Sequence, residues 1–205
     1  MRSASRRQLL LAGGAIIALV AGVLLVTRGD VVPERHDDGQ GPLASLSSVT
    51  ETFSIPGTYT VALPLCRTND YQPVMLDGTV APHTTVGPGL RYLGSYVRSG
   101  IAPDFKAIGS LTGFPPPVPY TGLHAEKGFA IESRCQDIRH RDDKLYTELV
   151  LGLAPVASNG GGWLGIDVGY YSGWRHHVVT IPWAFVICGP GLPGDVENCP
   201  PPSAA

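Results

Sequence analysis

Acid–base or metal chemistry in this sequence would fall first to its histidines. There are six, and five of them (His83, His124, His140, His176 and His177) lie where the chain has strand-like patterning. His176 and His177 are neighbours on one predicted strand, so their rings point to opposite faces and do not share one metal ion. Pairing of the last two strands sets His176 diagonal to Asp167 on a polar face, where a carboxylate orients an imidazole and fixes its tautomer. Asp167 and His176 are therefore the candidate catalytic acid/base residues. An ordinary cross-strand ion pair is the competing reading, because no Ser or Cys nucleophile is placed by the sequence to extend the pair into a triad.

Metal and cofactor signals are weak. Met75 is the only methionine beyond the initiator, and Cys188 is followed by Gly189 and Pro190, so the Cys/His/Met pattern of an exported copper site is missing. Gly-x-Ser-x-Gly, His-Glu-x-x-His, phosphate-loop and calcium-loop motifs are also missing. The expectation is no cofactor and no bound metal; a metal site would require His83, His124 or His140 to converge.

Such groups need a compartment and elements to hold them. Residues 9–27 form an apolar run without a charge, and at 1.5 Å per residue about 20 such residues cross a bilayer core. Arg2, Arg6 and Arg7 precede the run, which predicts a cytoplasmic N-terminus at 1–8 and a domain on the far side of the membrane. Ser5-Arg6-Arg7 also resembles a twin-arginine export signal, although any N-terminus retained by positive charge has the same need for arginines. The run exceeds a signal-peptide core and no small-x-small cleavage site follows it, so an uncleaved signal-anchor is expected. Beyond it stand 12 basic against 17 acidic side chains, which excludes a nucleic-acid-binding surface.

All four cysteines, Cys66, Cys135, Cys188 and Cys199, lie on the exported side, as expected of two disulfides. Three pairings are possible. The short Gly/Pro-rich separation of Cys188 from Cys199 favours a local staple, leaving Cys66 for Cys135. No C-x2-C spacing suggests zinc.

Between these landmarks the chain reads as strands and turns, with 26 glycines and 19 prolines. Residues 28–49 look like a polar linker. In 58–66, Tyr59, Val61, Leu63 and Leu65 share a face, and Pro64 requires an edge or a bulge. Strands are also expected over 73–80 and 89–98 with a turn-rich loop over 81–88, over 104–108, and over 127–135 ending at Cys135. Residues 114–120 read as an extended proline segment, and 136–144 as a charged loop. Residues 145–153, 163–171 and 174–188 are the clearest strands. A turn at Ser172-Gly173 sets Tyr171 opposite Trp174, Ile166 opposite Val179 and Leu164 opposite Ile181.

The expected fold is all-β: a single antiparallel β-sandwich, Ig-like or Greek-key, of about seven or eight strands. The domain should span 50–190, followed by a Pro/Gly-rich tail over 191–205 and preceded by one transmembrane helix. The expected role is a noncatalytic binding or scaffolding module of the cell envelope, with the membrane and an envelope or wall component as partners. An exported hydrolase and a metal-binding accessory protein are the alternatives.

Overall fold

The computed structural model describes residues 32–45, 50–53, 57–68, 72–87, 89–101, 104–117, 119–138, 145–156 and 160–188. The predicted anchor at 9–27 and the tail at 191–205 lie outside them. Among the described residues no helix is long and apolar enough to cross a membrane.

Strand-favouring alternation becomes strand nearly throughout. The chain runs through β1 (Glu34–Asp37), β2 (Leu43–Ala44), β3 (Thr50–Thr52), β4 (Tyr59–Pro64), β5 (Cys66–Arg67), β6 (Val74–Val86), β7 (Leu90–Ile101), β8 (Ser110–Thr112) and β9 (Ala130–Ile131). A single helical turn, α1 (Cys135–Ile138), follows, and then β10 (Leu145–Pro155), β11 (Gly161–Ser172) and β12 (Arg175–Ile187). The protein is all-β. One sheet has the order β1-β12-β11-β6-β9 with β3 also on β12; a second has β7-β10-β4-β8; β2 and β5 form a short ribbon.

Several expectations change. Residues 28–49, read as a linker, carry β1 and β2 from Glu34 onward, and the compact unit begins at Pro33. β1 and β3 add to β12 in parallel, so the larger sheet is mixed and not purely antiparallel. Their short, polar segments have no strand pattern of their own and follow the open edge of β12. Residues 81–86 continue β6 instead of looping, because β11 pairs along them. Pro82 is tolerated there since β9 reaches only Val74 and Met75, leaving β6 an edge beyond them. Residues 104–108 are not a strand, and Cys135 opens α1 instead of closing a strand.

The β11–β12 hairpin has Ser172 opposite Arg175, Tyr171 opposite His176, Val168 opposite Val179 and Ile166 opposite Ile181. The turn is thus Gly173-Trp174, and the register differs from the expected one by two residues. A shift of two leaves the side chains from Ile166 to Ser172 on their expected faces. At Gly165, which has φ 83°, the register slips by one, so Trp163 enters the core and Leu164 is left half-buried.

Val61, Leu63, Val97, Leu149, Leu151 and Leu153 from one sheet share a core with Ile166, Val168, Tyr170, Val179, Ile181 and Phe185 from the other. Beside it Cys66 and Cys135 are joined by a disulfide, as expected. At a sequence separation of 69, this closure contributes about 4 kcal/mol on the chain-entropy model. Cys188 is disulfide-bonded too; Cys199, expected as its partner, lies outside the described residues.

A smaller apolar cluster joins Ala62 and Val150 to Ile108, with Tyr96, Leu111, Tyr120 and Leu123 packed against it. The polar groups at this cover are paired. Arg98 Nε donates to Glu148 Oε2 at 2.9 Å, and the Ile108 amide donates to Glu148 Oε1 at 3.1 Å. Arg98 also donates to the Lys106 carbonyl, and its guanidinium lies 4.0 Å from the Phe105 ring centroid. Burial pushes the Glu148 carboxyl up, against the pull of Arg98 and the Ile108 amide. Glu148→Ala strands a buried guanidinium, and urea unfolding should show a loss of about 3–5 kcal/mol. The double substitution Arg98→Met with Glu148→Leu should lose far less or gain stability, because no unpaired charge remains.

Candidate functional site

The strands β12, β11 and β6 lie side by side, and the face turned away from the shared core carries most of the titratable groups. Asp167 on β11 stands directly opposite Thr180 on β12 and Ala81 on β6. Its carboxylate accepts hydrogen bonds from Thr180 Oγ1 at 2.8 Å and from Arg35 Nη1, on β1, at 2.6 Å. The His83 ring on β6 contacts it through Nδ1 at 3.0 Å. Four strands thus converge on one carboxylate. Partial burial pushes the Asp167 carboxyl up, but the bonds from Arg35, Thr180 and His83 outweigh this and hold it below the usual carboxylate range.

His176 has a different partner. Its Nε2 lies 2.6 Å from Asp77 Oδ2 on β6, and its ring stacks on Tyr171 with centroids 4.9 Å apart. Asp77 and His176 flank β11 at Gly169, where a Cβ would run into the Asp77 carboxylate. A glycine in the middle strand lets side chains from the two outer strands meet above it. Asp77 is brought there by an irregularity of β6 around Gly78, and the Thr79 amide donates to Asp77 Oδ1 at 2.5 Å.

The two candidates named from the sequence, Asp167 and His176, therefore share a sheet face but belong to separate carboxylate–imidazole pairs. Among the described residues neither His83 nor His176 is hydrogen-bonded to a Ser, Thr or Cys side chain. Two surface clefts, of about 550 and 380 Å³, are lined around Arg67 and Arg134 and around Arg98 and Tyr120; neither contains Asp167 or His176. His83 and His124 do not converge, since His124 packs on Phe129 with centroids 5.7 Å apart. His140 lies outside the described residues.

His177 points to the opposite side of β12, as adjacency on a strand requires. It is buried, its ring stacks on Tyr170, and its Nδ1 lies 3.2 Å from His36 Nε2. Burial holds the His177 imidazole below its ordinary value, helped by His36 and only partly opposed by Glu34. Glu34 and His36 stand in the stretch whose polar composition reads as a linker, and nothing there marks them as site residues beyond their spacing of two, which puts both side chains on one face of a strand.

No family model and no curated protein matches this chain.

Because the folded-state pKa of Asp167 is depressed, its contribution to stability is fully present above the unfolded carboxylate value of about 3.9 and is lost as pH falls through the lower folded value. Asp167→Asn should accordingly be less stable than the parent at pH 6, with the gap shrinking below about pH 4. Chemical unfolding of both proteins across that range checks the sign.

Proposed function

We propose that this chain is a single-pass membrane protein whose extracytoplasmic β-sandwich serves as a noncatalytic binding or scaffolding module of the cell envelope. Residues 9–27, with Arg2, Arg6 and Arg7 before them, supply the argument for a retained anchor and for the orientation. The Cys66–Cys135 disulfide fits an oxidising compartment.

The observation that carries the binding role is at the tip of the β11–β12 hairpin. Trp174 occupies the turn and is 83% exposed, while Tyr171 and Met75, which face each other across β11 and β6, are 42% and 43% exposed. A large indole displayed on a short turn, with an aromatic ring and a thioether close by, is the composition that protein-binding surfaces concentrate. The carboxylates and imidazoles elsewhere on the same face are engaged with one another.

Full-length protein chemically crosslinked in its native membrane should give a discrete adduct with an envelope component. Trp174→Ala should reduce that adduct at least about 10-fold while leaving the melting temperature unchanged. Intact-mass measurement of the membrane-extracted chain should find residues 9–27 retained. Hydrolysis of peptide, ester or glycan substrates that disappears with His176→Ala would overturn the noncatalytic reading.

A further inference from the structure

Glu34, His36 and His177 bring three metal-binding side chains to one point, with one ligand atom from each lying within 4.8 Å of the others. The separations are 3.2 Å between His36 Nε2 and His177 Nδ1, 3.8 Å between His36 Nε2 and Glu34 Oε1, and 3.5 Å between His177 Nδ1 and Glu34 Oε2. Two ligands on a tetrahedral zinc ion, each about 2.0–2.1 Å from the metal, stand about 3.3–3.4 Å apart. The two imidazole nitrogens, at 3.2 Å, are close to that value, and Glu34 reaches one of them with each of its carboxylate oxygens. Without an ion the two nitrogens share one N–H···N hydrogen bond; with both protons on the outward nitrogens they present two lone pairs to the same point.

A second observation points to the same spot. Tyr170 is fully buried, and its hydroxyl has no hydrogen-bond partner among the described residues. Burial drives the phenol up to about 12, against the pull of the Leu43 backbone amide. The ring stacks on His177, and a Cβ on Gly41 would lie 2.8 Å from both the Tyr170 hydroxyl and His36 Cδ2. The orphaned hydroxyl and the His36 ring thus both border the space over Gly41.

We propose that Glu34, His36 and His177 bind a divalent transition-metal ion of the zinc class, with the fourth position left to a water or an outside ligand. Two imidazoles and one carboxylate form a donor set that suits zinc and disfavours magnesium or calcium, which take oxygen ligands. Both imidazoles offer a lone pair to the ion when their protons sit on the outward nitrogens, Nδ1 of His36 and Nε2 of His177. A metal-bound water would give the Tyr170 hydroxyl the partner it lacks. Because Glu34 and His36 belong to β1 and His177 to β12, the ion would clip the parallel edge strand to the sheet.

Metal-free full-length protein in detergent, titrated with Zn2+ in a calorimeter, should bind one ion per chain at this cluster, while Mg2+ should give no heat. Amide exchange at residues 34–37 should slow on zinc addition. His177 is buried and its replacement risks the fold, so the test rests on His36→Gln and Glu34→Gln, each expected to weaken binding at least about 10-fold. His83→Gln and His124→Gln should leave affinity unchanged. Absence of saturable binding overturns the proposal, and so does binding that survives His36→Gln or vanishes with His83→Gln. The anchored, noncatalytic reading stands or falls separately, since its readouts are crosslinking and turnover.

Discussion

Strict alternation along β12 is the constraint on which the remaining structure depends. His177, Val179, Ile181, Trp183, Phe185 and Ile187 all turn inward and are buried, an unbroken period of two over eleven residues. Burial of that row fixes the register of β11, and β11 fixes β6. With the inner face committed to packing, the outer face of the same three strands is left for Asp77, Asp167, His83, His176 and Thr180. Two glycines on β11 make the outer arrangement possible. Gly165 lies under His83 and Gly169 under Asp77, so side chains from β6 reach over the middle strand without displacing its backbone.

The other edge of β12 is where economy of sequence shows. β1 and β3 occupy successive segments of that edge, opposite Glu34↔His177 through Asp37↔Thr180 and then Ala184↔Thr50 through Val186↔Thr52. Covering an edge with short polar strands satisfies its amides and carbonyls and removes a template for intermolecular pairing. It also places Arg35 beside Asp167 and His36 beside His177, one on each face of the sheet. A four-residue strand thus contributes to both polar clusters, because its side chains alternate as those of β12 do.

Legibility in the sequence followed the length of each pattern. The β11–β12 hairpin alternates over a dozen residues on each arm, and its faces could be assigned even with the turn misplaced by two positions, since Gly173-Trp174 and Ser172-Gly173 both leave parity intact. Glu-Arg-His-Asp at 34–37 carries no apolar alternation. It becomes a strand through a partner more than 140 positions away, and no local rule contains that information. The same blindness hid His36, and with it the neighbour of His177. The Asp167/His176 pairing does not form for a related reason: β6 supplies His83 to Asp167 and Asp77 to His176, and the part that carries His83, over 81–86, reads locally as a loop because of Pro82. The Cys66–Cys135 pair, by contrast, was legible because spacing left few alternatives.

Both outer pairs combine a carboxylate with an imidazole, the constellation from which many enzymes build a general base. What separates a base from a structural pair is spare acceptor capacity. Asp167 already accepts from Arg35 and Thr180 besides meeting His83, and the resulting depression of its pKa makes it a weaker proton acceptor than a free carboxylate. Asp77 accepts the Thr79 amide while holding His176, whose ring is further fixed against Tyr171. Groups so completely engaged stabilise four neighbouring strands against one another, and they do so at the expense of reactivity. The inner cluster has a different character: two imidazole nitrogens meet at 3.2 Å with a carboxylate alongside, and the buried Tyr170 hydroxyl has no hydrogen-bond partner among the described residues, so it is there that the proposed ion would find ligands.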